Sequence, residues 1–267
     1  MRNRIIGIIL VIVIVALLLV AIAVTNRDQK EPEPANKPVA AETEKPEKSS
    51  GLFAKETPEP TPEPTPTPEP KPIYTTAPEG YFEDALIIGD SRTEGIRMCA
   101  DIPGATYFSS VGMGIIGAFY ETVDVPGIGT VGIDTLLASK QFGKVYIMLG
   151  INDIGGDIPT LSERFGLFIE KIQTAQPEAL IIIEANLRVT ANYNSTMVTN
   201  ARIDQFNQLI SEYADNEKIF YLDVNPLFDD GMGTGLSPAI SPDGLHVPGA
   251  QYIEWANWIM DHAVVFQ

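Results

Sequence analysis

Ala85-Leu86-Ile87-Ile88-Gly89-Asp90-Ser91-Arg92 joins an uninterrupted apolar run to a Gly-Asp pair and a serine. Such a run, bounded by polar and glycine residues, predicts a strand buried on both faces, as in the middle of a parallel sheet. A serine at the carboxyl end of that strand lies at the edge where open α/β sheets place their crevice. Taken alone, Ser91 reads first as a cap on the helix that follows, its hydroxyl accepting a backbone N–H. The stretch therefore predicts strand, turn and helix, and leaves two roles open for the serine.

The same alternation continues to the end of the chain. Ala85–Ile88, Thr106–Val111, Val145–Leu149, Leu180–Glu184 and Ile219–Val224 read as strands. Helical periodicity fits Ile133–Ser139, Leu161–Thr174, Asn200–Ala214 and Ala250–Val264. Strand and helix in turn imply βαβ units with right-handed crossovers. The expected fold class is α/β, a three-layer α/β/α sandwich of flavodoxin-like type around a mainly parallel five-stranded sheet. Residues 78–267 are long enough for one such core.

Three further islands carry chemistry. Val111-Gly112-Met113-Gly114 follows the second strand, and Gly150-Ile151-Asn152-Asp153 follows the third. Asp243-Gly244-Leu245-His246 lies in a loop punctuated by Pro242 and Pro248. A serine hydroxyl is a poor nucleophile until a base takes its proton and donors stabilise the resulting oxyanion. The chain has only two histidines. His262 falls near the end of the last helical pattern, where a cation suits the helix dipole, and reads as structural. His246 has Asp243 three residues before it, close enough in a tight turn to accept its Nδ1–H and set its tautomer. The expected catalytic residues are Ser91, Asp243 and His246. The expected oxyanion donors are the Ser91 N–H, the Gly112 N–H and the Asn152 side chain. Gly114 is an alternative to Gly112, since either glycine lets the backbone approach a substrate closely.

In order and content, Gly-Asp-Ser at Ser91, a glycine after a strand at Gly112, Gly-x-Asn-Asp at Asn152 and Asp-x-x-His at His246 resemble the SGNH, or GDSL-type, serine hydrolases. The resemblance covers the whole of residues 78–267. It implies the flavodoxin-like fold and an acyl-enzyme mechanism on esters, without cofactor or metal. Arg92 departs from the lipolytic members, which often carry Leu there. A cation beside the nucleophile argues against a greasy acyl pocket and for a polar or anionic substrate.

Other chemistries find less support. Two histidines in unrelated contexts give no zinc-ligand spacing. A glycosidase needs two opposed carboxylates, and nothing singles out Asp153, Glu184 or Glu94 for that role. Gly127-Ile128-Gly129 lacks the setting of a phosphate-binding loop and reads as a plain loop. Cys99, the single cysteine, excludes an internal disulfide and reads as a small core residue.

Residues 1–4 carry Arg2 and Arg4 ahead of Ile5–Val24, an apolar run of about 20 residues, the length of a transmembrane helix. The flanking arginines place the N-terminus in the cytoplasm and the rest of the chain outside. Ala21-Ile22-Ala23 resembles a cleavage site, but the run exceeds a signal peptide's usual apolar core of roughly 7–15 residues. The expectation is a single-pass anchor, at positions 5–24, and an extracytoplasmic enzyme. Residues 25–77 are rich in Pro, Glu and Thr, with too little apolar surface to offset their ordering entropy. They read as a disordered stalk which, at about 3.1 Å per residue, reaches on the order of 150 Å.

The formal net charge is −17. From Pro78 onward there are 25 acidic and 9 basic side chains. So acidic a domain repels polyanions, which excludes nucleic acid as a partner. The expected substrate is an acylated carbohydrate or another small ester, and the expected reaction is removal of small acyl groups such as acetyl. Two alternatives remain open at this point. One is an O-acetyltransferase for peptidoglycan or another cell-wall polysaccharide, served by a separate membrane acyl donor. The other is a non-catalytic surface binding module.

Overall fold

The computed structural model describes residues 70–267. The expected anchor at 5–24 and the stalk up to residue 69 lie outside the described residues. In chain order the elements are β1 (Pro72–Thr75), β2 (Ala85–Gly89), α1 (Ser91–Cys99), β3 (Thr106–Ser109), α2 (Ile115–Tyr120), β4 (Thr122–Val125), β5 (Gly129–Gly132), α3 (Ile133–Ser139), β6 (Lys144–Met148), α4 (Ile158–Ala175), β7 (Leu180–Glu184), α5 (Asn200–Ser211), β8 (Ile219–Leu222), a 3-10 turn (Asn225–Phe228), α6 (Gly249–Asp261) and β9 (Ala263–Phe266).

Five of the strands form one parallel sheet in the order β3-β2-β6-β7-β8. Numbered along the chain, this is the 2-1-3-4-5 order of flavodoxin-like sheets, whose strand order reverses beside the first strand. That reversal lies between β2 and β6, the strands that precede Ser91 and Asn152. Register brings the loops level. Gly89 pairs with Ser109 on one side and with Met148 on the other. The chains leaving β2, β3 and β6 therefore start from one height at one edge.

Side chains along the strands alternate between two cores. Leu86, Ile88, Val145, Ile147, Ile181 and Ile183 face one core with α2, α3, α4 and α5. Ile87, Tyr146, Met148, Ile182 and Phe220 face the other, with α1 and α6. Both faces of the sheet are covered, so its strands are mainly apolar, as the run at Ala85–Ile88 predicts, with polar residues such as Lys144 and Glu184 at strand ends. On the second face α1 and α6 pack against each other. Ile96 of the first and Tyr252, Trp255 and Ala256 of the second share one buried cluster. Cys99, expected as a small core residue, is instead exposed: it is the last residue of α1, beyond Ile96, where the helix's buried positions end.

The structure adds three features to the expected alternation. β4 and β5 form an antiparallel hairpin around Pro126–Ile128, so Gly127-Ile128-Gly129 is a hairpin turn running into a strand. α2 follows the second glycine island. The expected helix through Val264 ends at Asp261, and β9 then pairs antiparallel with β1, from Pro72 opposite Phe266 to Thr75 opposite Ala263. A domain start at Pro78 thus omits a strand. Lys71 and Gln267 extend the ladder by exchanging backbone hydrogen bonds, and the Ala77 N–H reaches the Met260 carbonyl.

Candidate active site

Ser91 is the first residue of α1, and the helix is capped by its neighbour. The Asp90 carboxylate accepts the Arg92 N–H at 2.9 Å. With the cap supplied by Asp90, the Ser91 hydroxyl is free for another partner. It lies 2.9 Å from His246 Nε2.

The histidine loop is built around Asp243. One carboxylate oxygen, Oδ1, accepts the N–H groups of Leu245 at 2.9 Å and His246 at 2.7 Å. The other, Oδ2, lies 2.8 Å from His246 Nδ1. Ser241 closes the loop by donating its hydroxyl to the His246 carbonyl at 2.7 Å. Burial acts to raise the Asp243 pKa, but the His246 N–H, the His246 ring and the Leu245 N–H outweigh it and bring the group down to about 2. Asp243 is therefore ionised at neutral pH and accepts the Nδ1–H. The Nε2 lone pair is left facing the serine hydroxyl.

Ser110 to Met113 make a tight turn closed by the Met113 N–H on the Ser110 carbonyl. Its third residue, Gly112, has φ +83°, as a type II turn requires and as side chains with a Cβ resist. A Cβ there would meet nothing within 4 Å, so the position opens on solvent. Gly114 is buried, and a Cβ on it would stand 2.4 Å from an Asp153 carboxylate oxygen. Of the two glycines, Gly112 is the one at the open face. The N–H groups of Ser91 and Gly112 bond to no group among the described residues.

Asn152 is exposed on the loop after β6, and its side-chain nitrogen donates to the Met113 carbonyl at 2.9 Å. That bond holds the amide across from the Gly112 turn and leaves its second N–H free. The loop rests on buried asparagines that sequence reasoning missed. Asn186 accepts the Ile151 N–H at 3.1 Å and donates to the Leu149 carbonyl at 2.9 Å. Asn207 and Asn225 in turn hydrogen-bond the Asn186 backbone. An apolar run that ends in Glu184-Ala185-Asn186 is the one signal in the sequence that could have marked them. Of the five expected site residues, Ser91, Asp243 and His246 are joined by hydrogen bonds, and Asn152 is held to the turn that carries Gly112, at the edge where β2, β3 and β6 end.

Arg92 requires a correction. It is only 1% exposed and turns beneath the site, with Nη2 3.4 Å from the Leu245 carbonyl. Burial lowers its pKa, while Asp90, Tyr252, Asp243 and Tyr193 act to hold its charge. As a buried residue it does not line the surface a substrate meets, so it favours neither a polar nor an anionic substrate. His262 stays away from the site, bonded through Nδ1 to the Trp258 carbonyl at 2.7 Å and stacked on the Trp258 ring. The carboxylates considered for glycosidase chemistry are committed elsewhere. Asp153 accepts the Ile115 N–H, Glu94 pairs with Arg97, and Glu184 is buried between sheet and helix.

An ionised Asp beside His246, a serine hydroxyl within reach of that His, and N–H groups alongside that are unpaired among the described residues can generate an alkoxide and stabilise an oxyanion. Comparison with known proteins agrees with this chemistry. Residues 87–252 match the GDSL-like Lipase/Acylhydrolase family. No curated protein matches the sequence. Among solved structures, a candidate acylhydrolase from Bacteroides fragilis is similar, with TM-score 0.51 and 17% identity over 69% of this chain and 91% of that one. A GDSL-like lipase from Bacteroides thetaiotaomicron gives 0.50 and 16% over 67% and 88%. An acetylxylan esterase from Geobacillus stearothermophilus gives 0.46 and 14% over 66% and 91%. Likeness at such identities speaks to the fold alone. The family match spans most of the described residues and both ends of the site, from the strand before Ser91 to the helix after His246: the chain belongs to the GDSL-like lipase/acylhydrolase family, enzymes that hydrolyse carboxylic esters.

Proposed function

We propose that this acylhydrolase is a membrane-anchored, extracytoplasmic serine esterase that removes small acyl groups, acetyl foremost, from carbohydrate. The observation that carries the reading is the continuous hydrogen-bonded relay from Asp243 through His246 to Ser91, together with the N–H groups of Ser91 and Gly112, which are unpaired among the described residues. In the proposed cycle Ser91 Oγ attacks the ester carbonyl as its proton passes to His246 Nε2. The oxyanion accepts hydrogen bonds from the Ser91 N–H, the Gly112 N–H and Asn152. His246 then gives the proton to the departing sugar oxygen, leaving an acyl-serine. Water, deprotonated by the same nitrogen, attacks the acyl-serine, and the proton returns to Ser91 as the acid departs.

A carbohydrate leaving group is supported by the cleft beside the histidine loop, of about 490 Å³, which Thr190, Asn192, Tyr193, Asn194 and Ser241 line with hydroxyl and amide groups. The anchored, outward-facing location rests on the N-terminal apolar run and its preceding arginines.

The test is p-nitrophenol release from acetyl and longer-chain p-nitrophenyl esters by the full-length chain and by Ser91→Ala. Turnover that falls with chain length and disappears in the variant is the expected result. Equal rates on long-chain esters would sink the small-acyl assignment. A stable acyl-enzyme that discharges only onto sugar would replace water by a sugar hydroxyl as acceptor.

A further inference from the structure

Polar clefts flank the proposed nucleophile on two sides. On the histidine side, Asp243 and Gly244 line the cleft that also carries Asn192, Tyr193 and Asn194. On the side of the Gly112 turn, a cleft of about 350 Å³ starts at Ser110 and Val111 and runs between α1 and the β4–β5 hairpin. Its floor is the hydrogen-bonded set Glu94, Arg97 and Ser109, and its far wall carries Thr122 and Asp124. It continues past Arg97, Tyr107 and Pro126 into a second cavity of about 330 Å³ toward Asp101 and Gly104. Ser91 lines neither cleft itself; the first reaches it through Asp243 and His246, and the second through Ser110, whose N–H bonds the Gly89 carbonyl two residues before Ser91. Glu94, in the second cleft, lies one turn along the same helix.

From this geometry, resting on the esterase reading above, we infer that the substrate is a polysaccharide chain laid across Ser91 through both clefts and deacylated at interior units. A single acylated sugar would leave one cleft unused. Amides, hydroxyls, carboxylates and the half-buried Tyr193 ring suit a ligand with hydroxyls along its length. The excess of 25 acidic over 9 basic side chains from Pro78 onward sets the charge class, because a field of that sign disfavours a polyanion. Arg92 is buried, and Arg97, the cation in the second cleft, is paired with Glu94. The chain is therefore neutral or amine-bearing.

The test uses the full-length enzyme on chemically O-acetylated gluco-oligosaccharides and glucosamine oligosaccharides, from monosaccharide to hexamer, with p-nitrophenyl acetate as reference. The expected result is a kcat/KM that rises with chain length, with acetyl lost first from interior units. An Asn192→Ala/Asn194→Ala pair on one side and Asp124→Ala on the other each lower kcat/KM on the hexamer by roughly five- to tenfold, the effect of one or two lost hydrogen bonds. Both lower p-nitrophenyl acetate turnover by less than they lower turnover of the hexamer. A flat length dependence in both series, or variants that cut p-nitrophenyl acetate turnover equally, overturns the polymer assignment and leaves the esterase standing. If wild type turns over neither ester class, the esterase reading falls and the polymer assignment with it. Faster turnover of acetylated uronic-acid oligomers overturns the charge class.

Discussion

Asp153 accepts a hydrogen bond of 2.6 Å from the Ile115 N–H, tying the loop that carries Asn152 to the helix that follows Gly112. Its carboxylate also fills the space beside Gly114. The two halves of the proposed oxyanion site are thus joined by one side chain that itself touches no reacting atom. In Asp153→Ala both loops lose this tie. Displacements on the order of 1 Å at a reacting centre cost up to about 100-fold, so kcat on p-nitrophenyl acetate falls by roughly 10- to 100-fold, while KM changes little. A fall confined to KM would refute the positioning role.

Asn152→Ala removes the proposed oxyanion donor, together with its bond to the Met113 carbonyl, without touching the relay. The expected loss is about 10²–10³ in kcat, roughly 3–4 kcal/mol of transition-state stabilisation. Steady-state kinetics on the acetyl ester, with a urea melt to show unchanged stability, makes the measurement. Asn186→Leu separates support from chemistry, because it leaves the Ile151 N–H and the Leu149 carbonyl unpaired in the interior and costs about 2–4 kcal/mol of stability as well.

Glu184 lies 2% exposed at the end of β7 and burial pushes it up to about 7, against a weaker lowering effect of the Trp255 indole. Its folded pKa lies above the unfolded value of about 4.3, so the folded state holds the extra proton between these values. Stability therefore falls as pH rises through that window, by about 4 kcal/mol in all. Glu184→Gln, which is neutral throughout, flattens the decline. Urea unfolding at pH 5 and pH 8, run on both proteins, reads it directly, and an equal slope in the two would exclude Glu184 as its source.

β1 predicts where the folded unit can be cut. A chain beginning at Pro78 loses the β1–β9 ladder, the Lys71–Gln267 exchange and the edge-on contact between the Tyr74 and Phe220 rings. Compared with a chain beginning at Pro70, its melting temperature falls by about 5–15 °C, corresponding to a few kcal/mol of lost hydrogen bonding and packing. Equal melting temperatures would show the ladder to be dispensable.

The parts of the structure legible beforehand were those written in local pattern. The strands at Ala85, Val145 and Leu180 are short apolar runs, and their ends locate Ser91 and Asn152 before any contact is known. The Asp243–His246 spacing was legible because a turn of that length leaves few other partners. β1 and β9 were missed because each takes its meaning from a partner at the far end of the domain. Ala263-Val264-Val265-Phe266 continues the apolar pattern of the helix before it and shows no local sign of switching to a strand. Thr122–Val125 does alternate in burial, but it is brief, and Pro126-Gly127 reads as a turn only once a second strand is known to follow. Arg92 was misjudged because charge alone says outside. The inward turn depends on Asp90, Tyr252 and the Leu245 carbonyl, residues brought together only by the fold.

One joint carries the alignment of the site. α1 begins with Ser91, α6 begins three residues after His246, and the two helices lie against each other on the same face of the sheet. They act as the jaws of a caliper whose opening is the 2.9 Å between Ser91 Oγ and His246 Nε2. A slip of one residue along a helix is about 1.5 Å, enough to break that bond while every strand stays paired. Whatever loosens the grip between these two helices therefore opens that distance and disarms the serine while the sheet beneath stays intact.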